Sequence, residues 1–203
     1  MLSETRSTDS LEDLLPGYSI THVPASRAGF AGEGLLLAVK HSRLYSVMDF
    51  ASDDSSLWVT LSFTRGHQPL TFGVCYIPPA GSPKLRDIGL QERFAHVTAH
   101  AVAAKELGQV FIGGDFNAHV CITETDRHGH QLHDLASIAE LTLCTGVVSG
   151  DVPALYRPFE AKSTAVQHVL TILLYRTPFY HCSLSAQSTP LGGSPTISLL
   201  KLV

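Results

Sequence analysis

Apolar positions along this chain fall into two spacings. Gly34–Val39 (GLLLAV) is a short continuous apolar run that ends at Lys40. Leu57–Phe63 (LWVTLSF) alternates and is rich in β-branched and aromatic residues. Leu70–Ile77 (LTFGVCYI) does the same and stops at Pro78-Pro79, which cannot continue a hydrogen-bonded ladder. Arg65-Gly66-His67-Gln68-Pro69, between the last two, has the composition of a hairpin loop. The pattern predicts that these three runs are adjacent antiparallel strands. Over Arg86–Leu107 the spacing changes. Ile88, Leu90, Phe94, Val97, Ala101 and Ala104 recur at the interval of one helix face, and Gly108 is a suitable stop. Val110-Phe111-Ile112 then predicts a short buried strand. Leu132, Leu135, Ile138 and Ala139 predict a second helix over Gln131–Leu141. Val166–Leu174 is apolar without a clean period and is compatible with a strand, and the tail Thr196–Val203 reads as a final one.

Strands, helix, strand, helix, strands is the order of a mixed α/β (α+β) domain. Two β-sheets packed as a sandwich and flanked by helices satisfy it. The pattern does not dictate the strand order. With 203 residues, 44% of them hydrophobic and 16% charged, one domain over 1–203 can bury a core, and a wholly disordered chain is excluded. No run of about 18 uninterrupted apolar residues is present, so no membrane span is expected. Met1–Ser10 lacks the basic end and apolar middle of a secretory signal, so the default address is intracellular, cytoplasm or nucleus. The formal net charge of −4 argues against broad ionic coating of nucleic acid. It leaves room for a nucleic-acid enzyme whose bound divalent cation supplies positive charge locally. Cys75, Cys121, Cys144 and Cys182 form no CxxC pair, which points to reduced core thiols rather than a zinc ribbon.

The chemistry concentrates in Val110–Ala118 (VFIGGDFNA). A buried strand runs into two glycines and then presents Asp115, an apolar Phe116 and Asn117. Along an extended chain Asp115 and Asn117 share one face, with Phe116 turned into the core. The carboxylate can ligate a hard cation or take a proton, and the amide can hold a phosphate oxygen or a water. The same residues can equally form a plain Gly-Gly-Asp turn closed by an Asx hydrogen bond.

In context, Gly114-Asp115-Phe116-Asn117 resembles the GDFN signature of the endonuclease/exonuclease/phosphatase family, which comprises Mg²⁺-dependent phosphodiesterases and phosphatases. The resemblance spans nearly the whole chain and is strongest to the endonuclease domains of non-LTR retrotransposons. Leu2-Ser3-Glu4-Thr5-Arg6 looks like the family's Q-E-T segment, and Gly32–Val39 looks like the glycine-flanked strand that follows it. Val74–Ser82 is similar to the Y-x-P-P turn, and Asp126–Leu135 to an N-x-x-G-x-x-L-x-x-L segment through Gly129, Leu132 and Leu135. The resemblance implies Glu4 and Asp115 as ligands of Mg²⁺, with Mn²⁺ as the substitute. It implies Asp115, Asn117 and Tyr76 as catalytic residues, with Tyr76 reaching the scissile phosphate, and DNA as the partner. Without it, Glu4 reads as a solvated charge and Tyr76 as an ordinary strand-end aromatic. His128, His130 and His133 lack HExxH spacing and read as a solvated loop and helix start, and His96 and His100 as surface residues.

Three departures from the family pattern matter. The family's first strand, which carries an Asn, has no counterpart ahead of Glu4, so the domain is expected to be truncated there. Ser163–Leu170 fits an S-x-x-D-[HY]-[IV]-L segment except that Gln167 stands where the acid belongs. Leu191–Leu200 aligns with the S-D-H segment through Ser194, but Pro195 and Thr196 occupy the Asp-His pair. A positioned acid–base group contributes about 10²- to 10⁴-fold in rate. The expectation is therefore a Mg²⁺-dependent endonuclease-like phosphodiesterase of weak or lost activity. The alternative is a non-catalytic remnant or binding module of the same origin.

Overall fold

The computed structural model describes residues 1–11, 13–26, 34–118 and 125–143, together with the backbone of strands over 170–175, 185–187 and 199–201. In chain order the elements are β1 (Leu2–Ser3), β2 (Tyr18–Val23), β3 (Leu35–Lys40), β4 (Tyr45–Ser52), β5 (Ser56–Phe63), β6 (Leu70–Tyr76), the one-turn α1 (Lys84–Asp87), α2 (Leu90–Leu107), β7 (Gln109–Asp115), α3 (Arg127–Ile138), β8 (Leu141–Leu143), β9 (Leu170–Tyr175), β10 (Ser185–Gln187) and β11 (Leu199–Lys201). A three-stranded sheet has the order β1-β3-β2 and a six-stranded sheet the order β4-β5-β6-β7-β9-β8; β10 and β11 pair with each other. The expected α/β architecture of two sheets with flanking helices is present. The small sheet packs on β5, β6 and β7, and α2 with α3 covers the opposite face.

Side-chain alternation along the central strands sorts residues between two apolar layers. Leu57, Val59 and Leu61 of β5 join Leu35, Leu37, Val74 and Tyr76 between the sheets. Trp58, Cys75, Val110, Ile112 and Phe116 join Phe94, Val97, Leu132 and Leu135 beneath the helices. The period of two thus separates core from core, because a strand in the middle of a covered sheet is buried on both faces.

One expectation fails here. Leu57–Phe63 and Leu70–Ile77 do pair antiparallel, but the Gly34–Val39 run belongs to the other sheet, where it pairs with β1 and β2. Apolar runs show that a strand is buried without showing its partner. The neighbour of β5 is instead β4, whose exposed, polar-interrupted sequence carries no alternation signal. Helix bounds also shift. The first helix starts at Leu90 after a separate turn, and the second begins at Arg127, four residues before the expected start at Gln131. Asp126 explains the earlier start: its side chain accepts the Gly129 N–H at 2.6 Å, a helix N-cap. The proposed N-x-x-G spacing is thus a cap spacing.

Candidate active site

Strands β6 and β7 run parallel with Tyr76 beside Asp115. Both side chains lie on the face turned toward the small sheet, because their neighbours Cys75 and Phe116 point to the helix layer. The small sheet contributes β1, which packs against the ends of β6 and β7. Glu4 is the first residue after β1, so three strands from two sheets deliver Glu4, Tyr76 and Asp115 to one place.

The electrostatics follow from this placement. Burial raises the Tyr76 pKa; the charges of Glu4 and Asp115 and a hydrogen bond to the Glu4 carboxylate raise it further, against a smaller opposing effect of Arg6. The Tyr76 phenol is thus held as a neutral donor between two carboxylates. Asp115 is 5% exposed and the Glu4 side chain 16%, so neither is a freely solvated charge. Arg6 lies 3.5 Å from Glu4 and is half exposed, a weak offset to the pair.

The local backbone is built around these groups. Gly114 has φ 151°, and an added Cβ there would fall 1.9 Å from the Cys75 carbonyl oxygen. Glycine therefore lets β7 close on β6 at the residue before Asp115. Asn117 takes a left-handed φ of 45°, which Asn tolerates better than most residues. Its backbone N–H donates to Asp115 Oδ1 at 2.9 Å, and its side-chain Nδ2 donates to the Ile77 carbonyl at 2.8 Å. The Asx turn of the plainer reading is therefore formed, and it fixes Asp115 and Asn117 relative to each other. Phe116 is fully buried and stacks with Phe94 at 6.0 Å, as the alternation predicts. Glu4 has φ 57° and Arg6 φ 54°, left-handed values that cost of order 1 kcal/mol or more for such residues. Thr5 between them is tied by its N–H to the Gly34 carbonyl at 3.0 Å and by its hydroxyl to His22 at 3.0 Å.

Three other expectations can be placed. His130, His133 and His96 are exposed. His128 is not solvated: it is 3% exposed and its Nε2 lies 3.0 Å from the Pro78 carbonyl, which pins α3 to the Pro-Pro turn after Tyr76. His100 is half-buried, stacked on Trp58 at 5.6 Å and 3.7 Å from Asp53. Gln167 and Ser194 lie outside the described residues. A group that sequence reasoning missed is Arg93, buried in α2, which donates to Ser55 Oγ at 2.6 Å and to the carbonyls of Lys84 and Ile88. Ser55 in turn accepts the Tyr76 N–H on its carbonyl at 2.8 Å. A lone Arg at an apolar helix position is the only trace this leaves in the sequence.

No family model matches the sequence, and no curated protein matches it at a significant level. Solved structures do. The human Nocturnin catalytic domain with bound sulfate aligns with 100% of this chain and 79% of its own, at TM-score 0.60 and 16% identity. The endonuclease domain of TRAS1, a telomere-specific non-LTR retrotransposon, aligns with 80% of this chain and 68% of its own, at TM-score 0.54 and 18% identity. D. rerio TDP2 in complex with a single strand DNA product aligns with 92% of this chain and 75% of its own, at TM-score 0.54 and 13% identity. A further match, from Bacteroides thetaiotaomicron, is described as an endonuclease/exonuclease/phosphatase family protein. Identities this low speak for architecture rather than for chemistry, and the architecture they share with this chain is the endonuclease/exonuclease/phosphatase fold.

Proposed function

We propose that this chain is a divalent-metal-dependent phosphodiesterase that acts on DNA, slowed by an incomplete acid–base apparatus. The observation that carries the reading is the meeting of three groups: Tyr76 paired in register with Asp115 across β6 and β7, and hydrogen-bonded to the Glu4 carboxylate. Two of the structures that share the fold are a retrotransposon endonuclease and a protein bound to a DNA product, which supports the choice of DNA.

The donor set fits Mg²⁺, or Mn²⁺ in its place. Among the described residues no group of three or more His, Cys, Asp or Glu side chains forms a cage. Mg²⁺ does not need one, since it is usually held by one or two carboxylates and completes its shell with water and substrate phosphate. Glu4 and Asp115 would hold it, and when bound it would neutralise charge on the phosphate. The chain's own groups do the rest. Tyr76, held protonated, donates to a non-bridging phosphate oxygen. Asn117 spends one N–H on Ile77, which orients the amide so that its remaining polar atoms position the phosphate or the attacking water. Asp115, clamped by the Asn117 N–H, accepts a proton from that water.

The test is cleavage of nicked, abasic and supercoiled plasmid DNA by the full chain. Cleavage should vanish in EDTA and return with Mg²⁺. Asp115→Asn and Glu4→Gln should each lower the rate by about 10²-fold or more while far-UV circular dichroism stays unchanged. No cleavage at micromolar protein would reject the reading. Gln167 and the Pro195-Thr196 pair favour a second reading, a binding module without turnover, which predicts metal-independent behaviour instead.

A further inference from the structure

The opposite end of the six-stranded sheet carries a different constellation. Tyr76 and Asp115 end β6 and β7, and Leu70 and Gln109 begin them. Six residue steps at about 3.3 Å separate the two ends by roughly 20 Å. At the Leu70 end the β3–β4 turn meets the β5–β6 loop: Tyr45 pairs with Phe63, and the Thr64 N–H donates to the Leu44 carbonyl at 3.0 Å. Together they enclose a depression of about 340 Å³ lined by Leu44, Tyr45, Phe63, Thr64, Arg65 and His67. Phe63 meets Tyr45 edge to face at 5.9 Å and His67 at 6.2 Å, so three rings form one wall. The Tyr45 hydroxyl donates to the Lys40 carbonyl at 2.8 Å, which fixes that ring. Among the described residues no carboxylate lines the depression. Exposed Arg65 is part of its lining and exposed Lys40 and Arg43 occupy the adjoining turn, and among the described residues none of the three is in an ion pair.

We propose that this depression holds one nucleotide of a single-stranded nucleic acid, its base against the Tyr45–Phe63–His67 wall and its phosphates toward Arg65 and Arg43. The volume matches a small-ligand pocket and suits one base with its sugar. Two rings held by strand pairing and a third packed on them reward a flat π-faced ligand, and cations without carboxylate partners reward an anion; a nucleotide is both. Bases inside a duplex are stacked on each other and cannot enter, which selects the single strand. Since the whole chain is net negative at −4, ionic attraction alone would bind weakly here, and stacking supplies the second contribution. The inference is independent of the phosphodiesterase reading, because a protein that cuts nothing would still show the binding.

The experiment is fluorescence anisotropy of a 5′-labelled dT8 strand with the full chain in EDTA at several salt concentrations. Arg65 and His67 are exposed, so Arg65→Glu and His67→Ala should keep the fold, which circular dichroism checks. Arg65→Glu is expected to weaken binding about tenfold and to reduce the salt slope by about one. His67→Ala is expected to weaken it about fivefold with the slope unchanged, as is replacing dT8 by an abasic strand of equal length. His96→Ala, on the exposed face of α2, should leave binding intact. Equal affinity for the abasic strand, indifference to Arg65→Glu, or an equal loss with His96→Ala would each overturn the proposal. Competition by free dTMP as effective as by the strand would assign the depression to a free nucleotide and overturn the single-strand assignment.

Discussion

Cys75 and Tyr76 are chain neighbours whose side chains enter different layers, and each meets the charge of an acid. Burial, reinforced by Asp53, pushes the Cys75 thiol well above its ordinary value of 9.0. Burial, reinforced by Glu4 and Asp115, pushes the Tyr76 phenol above its ordinary 10.0. Raised folded-state values mean that the native chain keeps protons which the unfolded chain releases. Their contribution to stability is therefore complete below about pH 9 and shrinks as pH rises beyond it. In EDTA, urea unfolding should give a stability that declines from pH 9 upward, and Cys75→Ala should make the decline shallower. At pH 8.5 iodoacetamide should leave the Cys75 peptide unlabelled in the native protein and label it in urea, as read by mass spectrometry. Labelling of native Cys75 would refute its place in the core. The sequence already suggested a reduced core thiol here. That residues 4, 76 and 115 belong to one site was implied only by the family resemblance, since spacing alone does not bring them together.

Strands β6 and β7 owe their close parallel pairing to Gly114, where a Cβ has no room against the Cys75 carbonyl. Gly114→Ala should cost about 2–4 kcal/mol, because the φ of 151° is unfavourable for alanine and the strands must part to admit the methyl. The urea midpoint reads this directly, and a change below about 0.5 kcal/mol would show that the strands can separate freely. The two glycines before Asp115 mark the site plainly in the sequence. The helices were legible too, because Phe94, Val97, Ala101 and Leu132, Leu135 repeat with helical period and are buried as expected. Other elements were not. Strand β4 lies at the sheet edge with Val47, Met48 and Phe50 exposed and a bulge between Val47 and Asp49, so it shows no inside–outside alternation to read. His128 looked like a solvated residue because the acceptor it meets, the Pro78 carbonyl, is 50 residues away.

Across the molecule the candidate site exists because two sheets meet. Glu4 arrives from the three-stranded sheet, and Tyr76 and Asp115 from the six-stranded one. The acid–base residues that the family pattern would add act as one unit, so restoring them singly should achieve little. Gln167→Asp alone, or Thr196→His alone, is expected to leave DNA cleavage within about threefold of the parent. The combination of Gln167→Asp, Pro195→Asp and Thr196→His is expected to raise the Mg²⁺-dependent rate by about 10²-fold or more. A combined variant no faster than its parent, at unchanged circular dichroism, would show that these positions do not complete the site.

The boundary between the two kinds of knowledge is physical. Period, turn chemistry and short motifs are local, and they were enough to establish the α/β class, both long helices, the Gly-Gly-Asp strand end and the burial of Phe116 between Asp115 and Asn117. Partnership between strands depends on contacts between residues far apart in the chain, and no local pattern encodes it. So the transfer of Leu35–Lys40 to the second sheet, the burial of Arg93 and His128, and the meeting of Glu4 with Tyr76 and Asp115 emerged only from the packed chain.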